Sequence, residues 1–350
     1  MRVALIYGGR SSEHEVSLRS AASVRTTLAK AGHHIVDTAI SAEGQWLTGP
    51  DARTLLASGP APPPDGLHLP DRDTRTILAE VDVVFPVLHG PHGEDGTVQG
   101  LLELAGLPYV GSGVLGSALA MDKAVARPLL QAAGLPMVAH RTLRLDTAED
   151  VARQDPDALA ADLGLPLFVK PSNMGSSVGV SRVDELAGLL PALRHARQFD
   201  NKVLVETAVP NARELEVSVL GDGNPEASLP GEIRPGNDFY DYDAKYADAG
   251  SELLVPAPVP NEMTTALQAM SIRAFKALDC CGMARVDFLV DPIDHTIHLN
   301  EVNTIPGFTS ISMYPKMWEA SGLSYPDLLN RLLDIAVARH QRKQRLKTTL

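Results

Sequence analysis

An apolar run from Val3 to Tyr7 stops at Gly8-Gly9, the pattern of a buried strand ending in a turn. A helical stretch follows, with Ser12 as its expected N-cap and Gly32 beyond its end. Val81 to Leu88 reads as a second buried strand. Val98, Leu101, Leu102 and Ala105 then take helical spacing and stop at Gly106. Strands alternating with helices predict an α/β unit with a mainly parallel sheet. The stretch from Ser58 to Thr74, rich in proline, glycine and aspartate, reads as a surface loop. The character changes after about residue 122. Short strands are expected at Leu167 to Lys170 and Val178 to Val183, joined by PSNMGSS, then a helix over Glu185 to Arg197 and a strand over Val203 to Glu206. From Leu215 the chain is strand-rich, apart from one long helix with Leu267, Met270, Ala274 and Leu278 on one face. A hairpin and a helix near Pro326 to His340 close the chain. The expected class is α/β, passing to α+β in the later units, with units over 1–122, 123–206 and 207–350.

The formal net charge of -12 is the wrong sign for gripping a nucleic-acid backbone, so nucleic acid is excluded as a partner. The basic run RHQRKQRLK near the C-terminus reads as a solvated, fraying helix end. Cys280 and Cys281 are adjacent, which suits core fillers in a reducing compartment better than a disulfide. The apolar start is too short for a signal segment or a membrane span, so a cytoplasmic location is expected.

The segment ARVDFLVDPIDHTIHLNEVNTIPGFTS holds two apolar runs around a turn and should form an antiparallel hairpin. Residues two apart on a strand share a face, so Arg285 goes with Asp287 and Glu301 with Asn303. If the register joins those faces, three hard oxygen ligands meet beside an arginine. That donor set suits magnesium or manganese rather than zinc. In FVKPSNMGSSVGVSRV, Lys170 ends a strand, and Gly175, Ser176, Ser177 and Gly179 follow in a loop able to wrap anionic oxygens. This is not a Walker A loop, because the segment leads into a strand and reads as a hairpin flap. GGRSSEHEVS places Glu13 and Glu15 at a helix start. VLHGPHGEDG places His89, His92, Glu94 and Asp95 after a strand, where α/β sheets put ligand sites. FYDYDAKYADAG, with three tyrosines and Lys245, has the composition of a lid loop. GSGVLG, Gly111 to Gly116, matches a dinucleotide fingerprint in letters but lacks the surrounding pattern.

In GGRSSEHEVS, LHGPHGEDG, VKPSNMGSSVGVS, FYDYDAKY, ARVDF and NEVNTIPGFTS, taken in order, the chain resembles the D-alanine–D-alanine ligases over roughly residues 2 to 338. The resemblance implies an ATP-grasp fold of three domains, with ATP between the central and C-terminal ones. It implies ATP-dependent ligation of two D-alanines through an acyl phosphate, for peptidoglycan precursor synthesis, by a homodimer that meets small-molecule substrates and no membrane. By resemblance, Lys123 and Lys170 are ATP-phosphate lysines, with the Ser176–Ser177 loop closing above. Glu206 begins the adenine segment, and Glu214 is the ribose acid. Asp287, Glu301 and Asn303 are the ligands of magnesium or manganese. Glu13 holds the ammonium of the first D-alanine and forms a triad with Ser176 and Tyr246, with His89 beside that subsite. Lys245 belongs to the mobile loop, Ser312 and Met313 take the second substrate, and Arg285 and the Gly307 N–H stabilise the oxyanion. The proline-rich stretch near 58–74 has no counterpart in shorter members. Rival expectations are another carboxylate–amine ligase of this fold, including a D-alanyl-D-lactate ligase, an NAD-dependent oxidoreductase built on GSGVLG, and a non-catalytic binding protein.

Overall fold

The computed structural model describes residues 1–58, 72–234 and 252–347. In the N-terminal sheet β1 (Arg2–Gly8) lies parallel between β2 (His34–Ile40) and β4 (Val83–Leu88), while β3 (Trp46–Thr48) pairs antiparallel with β2 at the edge. The run Val3 to Tyr7 is continuously apolar because both faces of β1 are covered. Val3, Leu5 and Tyr7 pack with Leu18, Val24 and Leu28 of α1 (His14–Lys30). Ala4 and Ile6 pack on the other side with Val98 and Leu102. Around this sheet run α2 (Gly49–Ser58), α3 (Arg72–Leu78) and α4 (Thr97–Leu104). The expected N-cap of α1 moves by one residue: Glu13, not Ser12, precedes the helix, and its side chain makes no cap bond.

Helices α5 (Val114–Met121) and α6 (Lys123–Ala132) follow. Four antiparallel strands form the middle sheet, in the order β5 (His140–Arg144), β8 (Lys202–Thr207), β6 (Leu167–Pro171), β7 (Ser181–Val183). Helices α7 (Ala148–Ala152), α8 (Pro156–Leu163) and α9 (Leu189–Ala196) accompany it; Val151, Leu163, Leu189 and Leu193 join its core. The expected strand from Val178 is shorter than its apolar alternation suggests. Val178 and Val180 donate to Gly175 and Ser177 in successive turns, so pairing begins only at Ser181.

The last sheet runs β12 (Glu252–Leu254), β11 (Gly231–Arg234), β9 (Arg213–Gly221), β13 (Gly282–Val290), β14 (Ile297–Asn303), with β10 (Glu226–Ala227) also on β9. Helix α10 (Asn261–Ala277) buries Leu267, Met270, Ala274 and Phe275 against Val217, Val219, Val286 and Phe288. Ala126 and Leu130 of α6 join the same core. After α11 (Met313–Ala320), α12 (Tyr325–Gln344) crosses back, placing Leu328, Leu332 and Ala336 in the core under β1.

The basic C-terminal run is not a fraying end. Arg339 donates to the carbonyls of Gly111 and Tyr109 and stacks 4.5 Å from the Tyr109 ring centroid. Arg342 pairs with Asp222 and Lys343 with Glu103. Two glycines of GSGVLG also find a structural reason: Gly111 takes a φ of 98°, and Gly116 is tightly packed. A Cβ on Gly116 would lie 2.4 Å from the Asp279 carbonyl oxygen, and one on Gly282 would lie 3.0 Å from the Gly111 nitrogen. Close backbone approach between α5, its preceding loop and the start of β13 uses those glycines, with no dinucleotide required. Both cysteines are buried and free. Among the described residues no helix is long and apolar enough to cross a membrane.

Candidate active site

The hairpin register meets the condition set by strand periodicity. Arg285 stands opposite Asn303, and Asp287 opposite Glu301. On its other side β13 sets Asp287 opposite Glu216 of β9. Arg285 grips Asp287 through two hydrogen bonds of 2.7 Å and also reaches Glu216 at 3.2 Å. Burial disfavours the Arg285 charge, but Asp287 and Glu216 outweigh it and raise its pKa well above the ordinary value. The guanidinium is therefore a fixed cation on a rigid strand. The register then shifts after Asp287, so Phe288 meets Leu299 and Asn300 becomes the extra residue of a bulge. Lys170 donates to Asn300 Oδ1 at 3.3 Å.

Lys170, at the end of β6, is the cation of a second cluster. Its Nζ lies 2.5 Å from Glu206 Oε1 on the neighbouring β8, and Arg127 of α6 holds the other carboxylate oxygen. Burial pushes the Lys170 ammonium below its ordinary pKa, an effect only partly offset by Glu206. Burial pushes the Glu206 carboxyl up, but Lys170 and Arg127 outweigh it and leave the pKa below its usual range. With its carboxylate so committed, Glu206 leads into Thr207 and Ala208, whose amides donate to the Ala139 and Pro166 carbonyls at 2.9 and 3.0 Å. Glu214 lies half-buried on β9, two residues from Glu216 and on the same face of that strand.

Lys123 ties the hairpin to the loop that carries Ser176 and Ser177. Its Nζ lies 3.1 Å from Glu301 Oε2 and donates to the Met174 carbonyl at 2.9 Å. The flap that carries Met174 is braced at its base by Asp122, which accepts from the Ser172 hydroxyl at 2.5 Å and pairs with Lys202. At its tip Ser176 and Ser177 have φ of 49° and 59°, strained values for residues other than glycine. The Ser176 hydroxyl donates to Glu13 Oε1, linking the flap to the N-terminal unit. Gly175 permits that approach, since a Cβ there would lie 2.7 Å from Glu13 Oε2.

His89 and Glu94 rise from the loop after β4 and meet the turn after β14. His89 Nδ1 lies 2.9 Å from the Ile305 carbonyl oxygen. Donation to that carbonyl requires the proton on Nδ1, which leaves Nε2 as an acceptor; it has no partner among the described residues. Burial lowers the His89 pKa, so the ring is neutral at pH 7. Burial also pushes the Glu94 carboxyl up to about 8, with the nearby Glu13 charge adding to the effect. Beyond Ile305, the turn brings Gly307 against Ser312: a Cβ on Gly307 would lie 2.7 Å from Ser312 Oγ. Met313 is buried with Ile233 and Met317, which leaves its backbone N–H, in the first turn of α11, as the group it can offer.

The structure thus gathers Asp287, Glu301, Asn303 and Arg285 on one hairpin, with Lys123 and Lys170 beside it, and joins Glu13 to Ser176 and Gly307 to Ser312. Tyr246 and Lys245 lie outside the described residues. Among those residues no group of three or more histidines, cysteines and acids is poised for a metal; the hairpin offers two carboxylates and an amide oxygen instead. Sequence reasoning missed Arg127, Glu216 and Asn300. Arg127 could have been noticed as a charge on the buried face of α6, between Ala126 and Leu130. The alternation of RELEVSV already set Glu216 on one face with Glu214.

Known proteins align with this chain along nearly its whole length. The profile described as D-ala D-ala ligase N-terminus matches residues 2–112, and that described as D-ala D-ala ligase C-terminus matches residues 129–334. A Heliobacterium modesticaldum protein named D-alanine–D-alanine ligase is 47% identical, over 99% of this chain and 97% of its own. The solved D-alanine-D-alanine ligase from Coxiella burnetii superposes with a TM-score of 0.82 at 38% identity, covering 98% of this chain and 97% of that one. The VanG D-Ala:D-Ser ligase from Enterococcus faecalis gives 0.81 at 35% identity, covering 96% and 99%. With both profiles matched and such identity sustained end to end, the chain belongs to the D-alanine–D-alanine ligase family.

Proposed function

We propose that the chain joins two D-alanines at the expense of ATP, making D-alanyl-D-alanine for peptidoglycan precursors. The carrying observation is the β13–β14 register, which sets Asp287 opposite Glu301 and Arg285 opposite Asn303, within reach of Lys123. Two carboxylates and an amide oxygen are a hard donor set that fits magnesium or manganese, and the pairing of Glu301 with Lys123 marks a place that accepts positive charge. Bound there, the cation would neutralise phosphate charge during transfer.

The chain's own residues divide the rest of the reaction. Lys170 and Lys123 hold the phosphates of ATP, and the Ser176–Ser177 flap covers them. Glu206 leads into the adenine edge, and Glu214 takes the ribose. Glu13 binds the ammonium of the first D-alanine, beside the acceptor Nε2 of His89. The first substrate's carboxylate oxygen attacks the γ-phosphorus, ADP leaves, and an acyl phosphate results. The amine of the second D-alanine, placed by Ser312 and the Met313 N–H, attacks the acyl carbon. Arg285 and the Gly307 N–H stabilise the tetrahedral oxyanion until phosphate departs. Tyr246 and Lys245 complete this reading as the loop that excludes water from the acyl phosphate.

ADP release measured with D-alanine, L-alanine, D-serine and D-lactate, with the products identified by mass spectrometry, tests the assignment. Strong release with D-alanine alone, and dipeptide formed, is the expected outcome. Equal release with L-alanine would reject the stereochemical part, and preference for a mixed D-alanyl-D-serine product would move the chain to the activity named for VanG. Unit boundaries at 122 and 206 and a cytoplasmic setting, where ATP and free thiols coexist, belong to the same proposal. So does a homodimer. Leu104, Leu115 and Val114 stand exposed on α4 and α5 and offer an apolar face. Light scattering on the eluted protein should give twice the 37.4 kDa chain mass; a monomer at micromolar concentration would reject it.

A further inference from the structure

Ile305 lies midway between the proposed metal ligand Asn303 and the proposed oxyanion donor Gly307. Both of its backbone polar groups are held by side chains of one distant loop. Its carbonyl accepts from His89, and its N–H donates to Glu94 Oε1 at 3.2 Å while also reaching Asn303 Oδ1 at 3.0 Å. The other oxygen of Glu94 accepts from the Gly90 N–H at 2.7 Å, in the turn where the Gly93 and Glu94 amides return to the Gly90 carbonyl. Gln99 fastens that turn by donating to the Gly93 carbonyl at 2.8 Å. Gly93 has no room for a side chain, because a Cβ would lie 2.9 Å from the Leu88 carbonyl oxygen. Glu94 therefore projects from a rigid frame in the N-terminal unit onto the most position-sensitive turn of the C-terminal one.

Its carboxyl is buried, and no ion pair to a cation is found for it among the described residues. An acid placed so, near the charges of Glu13 and Glu301, is unfavourable for folding. Simple core packing would be served better by an apolar side chain of similar size. Two backbone amides on two separate segments, both pointing at one carboxyl group, give it a different purpose.

We propose that Glu94 is a positioning residue for catalysis: its carboxyl group clamps Gly90 to Ile305 and so sets the Gly307 N–H and the second-substrate side of the site. This rests on the ligase reading above, and a readout independent of turnover separates the two. Glu94→Gln keeps the volume but turns one acceptor into a donor facing an N–H, while Glu94→Asp keeps two acceptors and shortens the reach. In both variants, hydrogen exchange at the amides of Ile305, Gly307 and Phe308 in the substrate-free protein is expected to speed by about tenfold or more, while the amides of β13 keep wild-type rates. Turnover for the dipeptide is expected to fall by about 10²-fold, as a misplacement of about an ångström produces, with KM for ATP within about threefold of wild type. Unchanged exchange at the turn would overturn the clamp. Faster exchange with wild-type turnover would overturn its catalytic purpose. Should Glu94→Gln fail to fold, Glu94→Asp carries both measurements. A protein that ligates no D-alanine would overturn the ligase reading while leaving the exchange result to judge the clamp.

Discussion

Replacement of Glu301 by glutamine is expected to lower ATP-dependent turnover by about 10²-fold or more while the fold survives. Glu301 occupies β14 directly opposite Asp287, and its carboxylate lies 3.1 Å from the Lys123 ammonium. The substitution keeps the shape and one oxygen, and Lys123 retains its bond to the Met174 carbonyl. The lost quantity is one negative charge in a hard oxygen set whose attraction for a divalent cation depends on that charge. Changes to the groups that merely orient metal ligands commonly weaken metal sites by about 10–100-fold, and a direct ligand should do no less. ADP release over a series of magnesium and manganese concentrations checks this, with circular dichroism as the control for folding. The expected result is a shift to much higher metal demand at unchanged ellipticity. Wild-type release at ordinary magnesium would remove Glu301 from the site.

How much of this site could be read in advance depends on the range of the interactions that build it. The pairing of Asp287 with Glu301 was legible because strand period and a short turn are local facts. The bulge that turns Asn300 toward Lys170 was not, since a register shift is settled by three strands packing together. In the flap, the alternation of Val178 and Val180 suggests a strand that the left-handed backbone at Ser176 and Ser177 prevents from starting before Ser181. Arg127 and Glu216 leave local marks in the sequence, but their pairings do not, because the partners lie 79 and 69 residues away in the chain. The basic run at the C-terminus escapes a sequence reading for the same reason: Tyr109, Glu103 and Asp222 dock it, and charge composition alone carries no sign of them. Ser12 loses the cap position to Glu13, whose carboxylate serves the flap and not its own helix.

The largest effect without any change of charge is expected from Gly307→Ala. A methyl at that position would lie 2.7 Å from Ser312 Oγ, inside any tolerable contact. The Ser312 hydroxyl is not free to yield, because it accepts from the Thr309 N–H at 3.0 Å and lies 2.8 Å from the Thr309 hydroxyl. Either the hydroxyl swings away from the second substrate it is proposed to hold, or the Gly307 amide tilts from the proposed oxyanion position. Loss of one oxyanion donor alone is typically worth about 10²–10³ in turnover. Stability should fall by only about 1–3 kcal/mol, the usual range for one added methyl in a packed place. KM for ATP should stay within about threefold, since Lys170 stands on a strand of a different sheet. KM for the second D-alanine separates the two routes: a displaced hydroxyl raises it, whereas a tilted amide lowers kcat and leaves it near wild type. Wild-type dipeptide synthesis by Gly307→Ala would mean that neither group serves the reaction, and the oxyanion's donor would have to be sought outside this turn.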